Sequence, residues 1–361
     1  MSGGLVVPEE QGVAPALPEP RALDARPRRP FVHQLAELTL ESGAVLRQVE
    51  QLYHLDGALN DARDNLVVIF HALTGSADAA GDWWRDVVGP GRALDTDRYA
   101  VLCANLLGSC YGTTGPADPA RRPFPRVTTR DMAALAGHLI ATLDVESVAL
   151  AVGGSLGGMV ALELAASFPT LVRRTVVLAA PAAHTASAIG WNHIQRRAIA
   201  AAGTEGLEIA RMLAMMTYRT GDELARRFGR GVDATGAFQV ERYLNSQGYK
   251  LRARFDPDSY VTLLDAMDAH DVGRERGDVA SALRRVEGTL VGVGIPGDLL
   301  YDVRDVRDWT ERAGAEYREV HSIHGHDAFL IEVDQVSAIL HETLAASAGG
   351  ALTASSSTRP S

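Results

Sequence analysis

The sequence has only two cysteines, Cys103 and Cys110, in 361 residues. Two thiols cannot build the disulfide framework that holds small secreted domains together. They read as buried or partly buried side chains, and a reducing cytoplasm is the compartment expected. No apolar run approaches the roughly 18–20 residues needed to span a bilayer, so no membrane segment is expected. Residues 1–30 carry Pro, Glu and Arg where an export signal needs an apolar stretch. Positive charge is not in excess either. The 35 Lys and Arg stand against 45 Asp and Glu, a net charge of −10 with a pI near 5.6. That balance argues against general binding to nucleic acid or an anionic membrane, and says nothing about a local positive pocket for a phosphate-bearing ligand. No internal repeat is found.

What is present describes a globular protein. Hydrophobic residues make up 46% and the mean hydropathy is −0.02. Residues 1–30 and 345–361, rich in Pro, Ala, Ser and Gly, read as tails. Between them, compact apolar runs at 66–70, 99–103, 148–152 and 175–179 are each followed within a few residues by Gly, Pro, Asn or Ser, as buried parallel strands are. Helical spacing fills 135–143 and 159–168 between these runs. This alternation predicts a parallel sheet covered on both faces. From about residue 183 to 285 the pattern is helical, and strand-like runs resume at 289–293 and near 317–320. The expected organisation is therefore a catalytic α/β domain at 31–182 and 286–344, with a helical cap inserted at 183–285.

Gly153-Gly-Ser-Leu-Gly157 follows the 148–152 strand directly and precedes the 159–168 helix. A Gly-x-Ser-x-Gly turn in that setting is a nucleophile elbow, the mark of the α/β-hydrolase fold. Flanking glycines let the chain turn sharply enough to present Ser155 above the sheet, at a helix N-terminus that favours developing negative charge. In this fold the acid and then the base follow the serine in the chain. His326, in Gly325-His-Asp327 after the last strand-like run, is the expected base, with His324 its nearest rival. Asp298, in Gly294-Ile-Pro-Gly-Asp298 at a strand end, is the expected acid, ahead of Asp302 and Asp305. The oxyanion hole is expected from the backbone N–H groups of Leu156, just after the nucleophile, and Leu73, in the loop after the 66–70 strand. His71, opening that loop, is read as a brace rather than a participant.

Several ordered motifs together resemble the homoserine O-acetyltransferase family. They include His71-Ala-Leu-Thr-Gly75, Cys110-Tyr-Gly-Thr-Thr-Gly-Pro116, Gly153-Gly-Ser-Leu-Gly-Gly-Met159, Gln195-Arg196, Thr217-Tyr-Arg219, Arg254-Phe255 and Gly325-His-Asp-Ala-Phe-Leu330. The resemblance spans roughly residues 35 to 340. It implies a ping-pong acyl transfer in which Ser155 takes an acetyl group from acetyl-CoA and passes it to the hydroxyl of homoserine. It also implies that Arg196 holds the acceptor's carboxylate and Asp327 its ammonium. No bound cofactor or metal is implied, the partners are small-molecule substrates, and a homodimer is expected.

The sequence departs from the family at four places, one of them a shortened stretch between Pro116 and Phe124. Leu156 stands where a methionine is usual, and Pro296-Gly297 precede Asp298. After Ile199 the chain runs straight through Ala200 to Gly206, where the family carries an Asp-Pro element and a Gly-x-Tyr segment lining the acceptor site. Serine, another alcohol or a succinyl donor therefore stay open as substrates. An esterase or thioesterase that passes the acyl group to water is the rival activity, and a catalytically dead binding protein a third reading.

Overall fold

The computed structural model describes residues 28–346. Its strands are β1 (Phe31–Thr39), β2 (Val45–Asp56), β3 (Leu66–Phe70), β4 (Val88–Gly89), β5 (Leu94–Asp95), β6 (Ala100–Ala104), β7 (Val148–Gly154), β8 (Arg174–Leu178), β9 (Thr289–Gly294) and β10 (Glu316–Glu319). β4 and β5 pair with each other, and the other eight form one sheet in the order β1-β2-β6-β3-β7-β8-β9-β10. From β6 to β10 every pairing is parallel, while β1 and β2 are antiparallel additions at one edge. Each residue of β3, β6 and β7 is buried, because helices cover both faces of a parallel sheet. In β3 the alternation places Val68 and Phe70 in one apolar cluster and Val67 and Ile69 in the other.

Helices α1 (Thr129–Thr142) and α2 (Leu156–Ser167) pack on the first face, and α10 (Val333–Ala345) on the second. α1 starts with a capping box in which Thr128 and Asp131 exchange hydrogen bonds. α2 is buried on all sides from Leu156 to Ala166, including Glu163. α8 (Val303–Ala313) ends at Gly314 in a left-handed conformation, and a short α9 (Ala328–Ile331) precedes α10.

Between β8 and β9 the chain leaves the sheet for α3 (Ala186–Tyr218), α4 (Gly221–Phe228), α5 (Gln239–Arg252), α6 (Pro257–Asp268) and α7 (Val279–Leu283). α3 is interrupted at Gly203, whose φ of 57° lies outside the helical region. The returning segment is tied to the core by charge. Glu163 Oε2 receives Arg276 at 2.8 Å and Arg130 at 3.3 Å, and Arg274 meets Glu41 at 2.7 Å.

Every strand-like run named from the sequence is a strand of the sheet, within a residue or two. The β1–β2 hairpin was not anticipated. Along β2 the buried side moves from Leu46 to Val49 and Gln51, because Gln48 sits at φ 51° where pairing with β1 skips a residue on each strand. That break hides the alternation by which a half-buried strand is recognised. Most of the two expected tails falls outside the described residues. At their edges two corrections apply: Ala345 belongs to α10, and Arg28 pairs with Asp56 and Asp78 on the core.

Candidate active site

β3 and β7 are hydrogen-bonded neighbours, with Phe70 opposite Gly153 at their carboxyl ends. The chain reverses its direction of travel across the sheet here, passing from β3 to β6 on one side and then to β7 on the other. Such a switch point opens a crevice outside the strand ends. Ser155 lies at the end of β7 with φ 56° and ψ −126°, an unusual backbone for a residue with a Cβ. The neighbouring glycines explain how the turn is tolerated. A Cβ on Gly157 would lie 2.1 Å from the Phe70 carbonyl oxygen, and one on Gly153 2.3 Å from the Gly157 backbone. The first turn of α2 therefore presses against the loop that follows β3.

That loop is braced from below by His71, which is fully buried. Its Nδ1 lies 2.8 Å from the Ala72 carbonyl and its Nε2 accepts from the Leu106 N–H at 3.1 Å. Both ring nitrogens are thus committed with the proton on Nδ1, and burial pushes the His71 pKa down to about 4. His71 is a neutral structural group, as read from the sequence. The turn it supports closes with Gly75 N–H donating to Ala72 O at 2.9 Å. Leu73, inside that turn, and Leu156, the first residue of α2, carry no backbone hydrogen bond from their N–H groups among the described residues. They are the two donors expected for an oxyanion.

Asp298 and His326 meet directly. His326 Nδ1 lies 2.7 Å from Asp298 Oδ2, with both side chains buried. Asp298 Oδ1 accepts from the N–H groups of Leu300 and Tyr301, so the carboxylate is fixed from both sides. His326 Nε2 is buried without a hydrogen-bond partner among the described residues, which leaves it uncommitted. Desolvation lowers the proton affinity of His326, but the Asp298 charge, its hydrogen bond and the Asp327 charge outweigh it, so the pKa is raised. Three aromatic rings enclose the imidazole: Tyr301 at 5.3 Å, Tyr218 at 5.4 Å and Phe329 at 5.7 Å between centroids. The Phe329 ring also lies where a Cβ on Gly154 would come within 2.4 Å, and so links the base to the residue before Ser155. His324 is elsewhere engaged, with Nδ1 3.1 Å from Glu223 of α4.

The two residues expected to bind the acceptor are placed differently. Arg196 is held on α3 by Asp268 at 2.6 Å and Asp265 at 3.2 Å, both from α6. A guanidinium already paired with two carboxylates is not an open receptor for a third, so the geometry does not support the role expected for Arg196. Asp327 does adjoin His326, but its Oδ2 is 2.9 Å from Arg219 Nη2. The residue that sequence reasoning missed is Arg211. It lies two helical turns before Tyr218 on the same face of α3, with its guanidinium 5.6 Å from the Tyr218 ring centroid. Burial pushes Tyr218 up to about 12, with Arg211 opposing and Asp327 and Asp298 adding to the rise. Among the described residues no carboxylate lies within 4 Å of Arg211. It lines a cavity of about 890 Å³ together with Thr74, Gly75, Asn105, Tyr111 and Arg254. The i, i+7 spacing of Arg211 and Tyr218 was the available signal. A second cleft, of about 360 Å³, lies around Arg173, Thr289 and Arg318 at the opposite ends of the strands and holds none of these groups.

Comparison with known proteins places these features in context. A family model described as alpha/beta hydrolase fold matches residues 65–202. The chain is 43% identical to the homoserine O-acetyltransferase of Thermus thermophilus, covering 90% of this chain and 91% of that one. The crystal structure of homoserine O-acetyltransferase from Staphylococcus aureus matches with a TM-score of 0.77 at 32% identity, covering 88% and 95% of the two chains. An acetylester hydrolase from Corynebacterium glutamicum matches equally well in shape, TM-score 0.77, at 24% identity and 88% and 96% coverage. That last likeness speaks to the fold alone, and the α/β-hydrolase fold by itself does not separate transfer to an alcohol from transfer to water.

Proposed function

The chain belongs to the homoserine O-acetyltransferase family, and from that membership we propose that it moves an acetyl group from acetyl-CoA, through an acyl-enzyme on Ser155, to the hydroxyl of L-homoserine. His326 Nε2 takes the Ser155 proton as the serine oxygen attacks the thioester carbonyl. The carbonyl oxygen becomes an anion received by the N–H groups of Leu73 and Leu156. Collapse breaks the C–S bond, and the CoA thiolate leaves with the proton from His326. The acceptor hydroxyl then attacks the acetyl-serine with His326 again as base, and Ser155 recovers its proton as the ester product departs. Asp298 holds the imidazole orientation and supports its charge in both halves.

The observation that carries transfer over hydrolysis is Arg211. A guanidinium with no carboxylate within 4 Å among the described residues, in a cavity shared with the loop of Leu73, suits the carboxylate of an amino acid and serves no purpose for water. Asp327 keeps one oxygen, Oδ1, beside Arg219 for the acceptor's ammonium. The helical block at 183–285 acts as the cap that carries Arg211 and Tyr218. In this reading the enzyme works in methionine-type amino-acid biosynthesis, in the cytoplasm and as a homodimer. Among the described residues no helix is long and apolar enough to cross a membrane.

A second acceptor is favoured by one observation. The segment after Ile199 is a tight turn in which Gly206 packs so closely that a Cβ would lie 2.1 Å from the Ala198 carbonyl oxygen. This turn replaces the longer acceptor-lining segment, so serine is the first alternative. The test is thiol release from acetyl-CoA with no acceptor, with homoserine and with serine. Stimulation by homoserine above serine supports the proposal. Release indifferent to either amino alcohol would assign the protein to hydrolysis.

A further inference from the structure

Arg254 lies in the short connection between α5 and α6, in a motif that the proposed mechanism leaves without a task. It belongs to the helical insertion, yet its hydrogen bonds go to the core. Nη1 donates to the Thr74 carbonyl oxygen at 2.8 Å and to the Tyr111 hydroxyl at 2.6 Å. Nη2 reaches the Thr74 hydroxyl at 3.4 Å. Thr74 follows Leu73 in the turn that His71 braces from the other side.

The arm that delivers this guanidinium is itself held. Phe255 is buried and meets Tyr111 edge-on at 5.5 Å and Tyr260 at 6.0 Å. Tyr260 in turn donates to Gln195 Oε1 of α3 at 2.6 Å. Tyr111 is fixed from the core side, because its carbonyl accepts from the Asn105 amide. Among the described residues no carboxylate lies within 4 Å of the Arg254 guanidinium, so its bonds to the loop have no ionic competitor. Its side chain is exposed at the mouth of the cavity, which makes packing an inadequate reason for an arginine there.

We infer that Arg254 is a positioning residue through which the insertion holds the oxyanion loop in its working geometry. The inference rests on the assignment of the Leu73 N–H as an oxyanion donor. A guanidinium bridging a backbone carbonyl and a phenol limits how the turn can tilt, and the Leu73 N–H is only two peptide units away. Oxyanion donors act only when pre-aimed at the developing charge, and small displacements cost rate rather than binding. Because both half-reactions pass through an oxyanion, Arg254 serves both.

The test compares two donors, acetyl-CoA and p-nitrophenyl acetate, which lacks phosphates and pantetheine. Arg254→Ala is expected to lower kcat about 10- to 100-fold with both donors, while KM for acetyl-CoA changes little. Arg254→Lys, which keeps a donor for the Thr74 carbonyl, restores part of the rate, and Tyr111→Phe gives a smaller fall of the same kind. An unchanged kcat with p-nitrophenyl acetate overturns the inference, whether KM for acetyl-CoA rises, as for a residue gripping donor phosphate, or stays the same. If Arg254→Ala does not fold, the Lys and Phe variants decide by the same kcat-against-KM criterion. Ser155→Ala run in parallel separates the two layers. Full activity there removes the acyl-enzyme reading itself, whereas an inactive Ser155→Ala beside a fully active Arg254→Ala removes only the role of Arg254.

Discussion

The elbow around Ser155 and the helical insertion between β8 and β9 are held in place by different physics. At the elbow, backbone meets backbone: Gly153, Gly157 and Phe70 approach so closely that no side chain fits between them. Burial there is complete and conformational freedom is nearly absent. The insertion is fastened to its surroundings by charged and polar side chains. Arg219 reaches Asp327, Arg254 reaches Thr74, Arg274 reaches Glu41 and Arg276 reaches Glu163. Steric necessity leaves a mark in the sequence, because only glycine satisfies it. A charged tether leaves none, because Arg and Asp are common on any surface and their partners lie far along the chain.

Five substitutions sharpen this contrast. Asp298→Asn should have the largest effect, about a 10⁴-fold fall in kcat with the fold retained, since the imidazole loses its correct tautomer. The pH profile adds a check on sign. His326 must be neutral to act as base, and its raised pKa places the acid limb of kcat/KM above the ordinary histidine value of about 6.5. Asp298→Asn removes the two main causes of that rise and leaves desolvation, so the limb should move to lower pH.

Gly157→Ala comes next. A Cβ 2.1 Å from the Phe70 oxygen and 2.7 Å from its carbon forces the backbone apart. A loss of about 3 kcal/mol or more is expected in denaturant titration.

Third, Arg211→Ala should raise KM for homoserine about 10- to 100-fold, the equivalent of one charge-assisted pair, with kcat for p-nitrophenyl acetate near normal. Arg196→Ala should leave that KM almost unchanged and lower stability by only about 1 kcal/mol, since its ion pairs are partly exposed. Equal effects of the two variants on KM would show that the insertion presents its charges differently.

The smallest effect is predicted at Gly190 in α3. A Cβ there meets nothing within 4 Å, and the helix gains from alanine, so Gly190→Ala should stabilise by about 0.5–1 kcal/mol. Opposite signs for Gly157→Ala and Gly190→Ala in one thermal series would express the contrast between the two regions most plainly.

The same contrast explains what was legible in the sequence. The strands 66–70 and 148–152 stood out because burial on both faces makes them continuously apolar. Ser155 stood out by its glycines, and His326 and Asp298 by their positions at loop and strand ends. β1 and β2 escaped notice because the positive φ of Gln48 breaks their alternation. Arg196 and Arg211 share one helix, and nothing local to either says which meets two carboxylates from α6. The pairing of Arg196 follows from how α3 packs on α6, and the spacing of Arg211 and Tyr218 was the one sequence signal that set Arg211 apart.

The central claim is that Ser155 carries the acyl group. Incubation with acetyl-CoA alone, followed by proteolysis and mass spectrometry, tests it directly. The account predicts one acetyl group on the peptide containing Ser155, discharged on adding homoserine with formation of the acetyl ester, and absent from Ser155→Ala. Acetyl transfer to homoserine at full rate by Ser155→Ala, with no acetylated peptide in either protein, would contradict it.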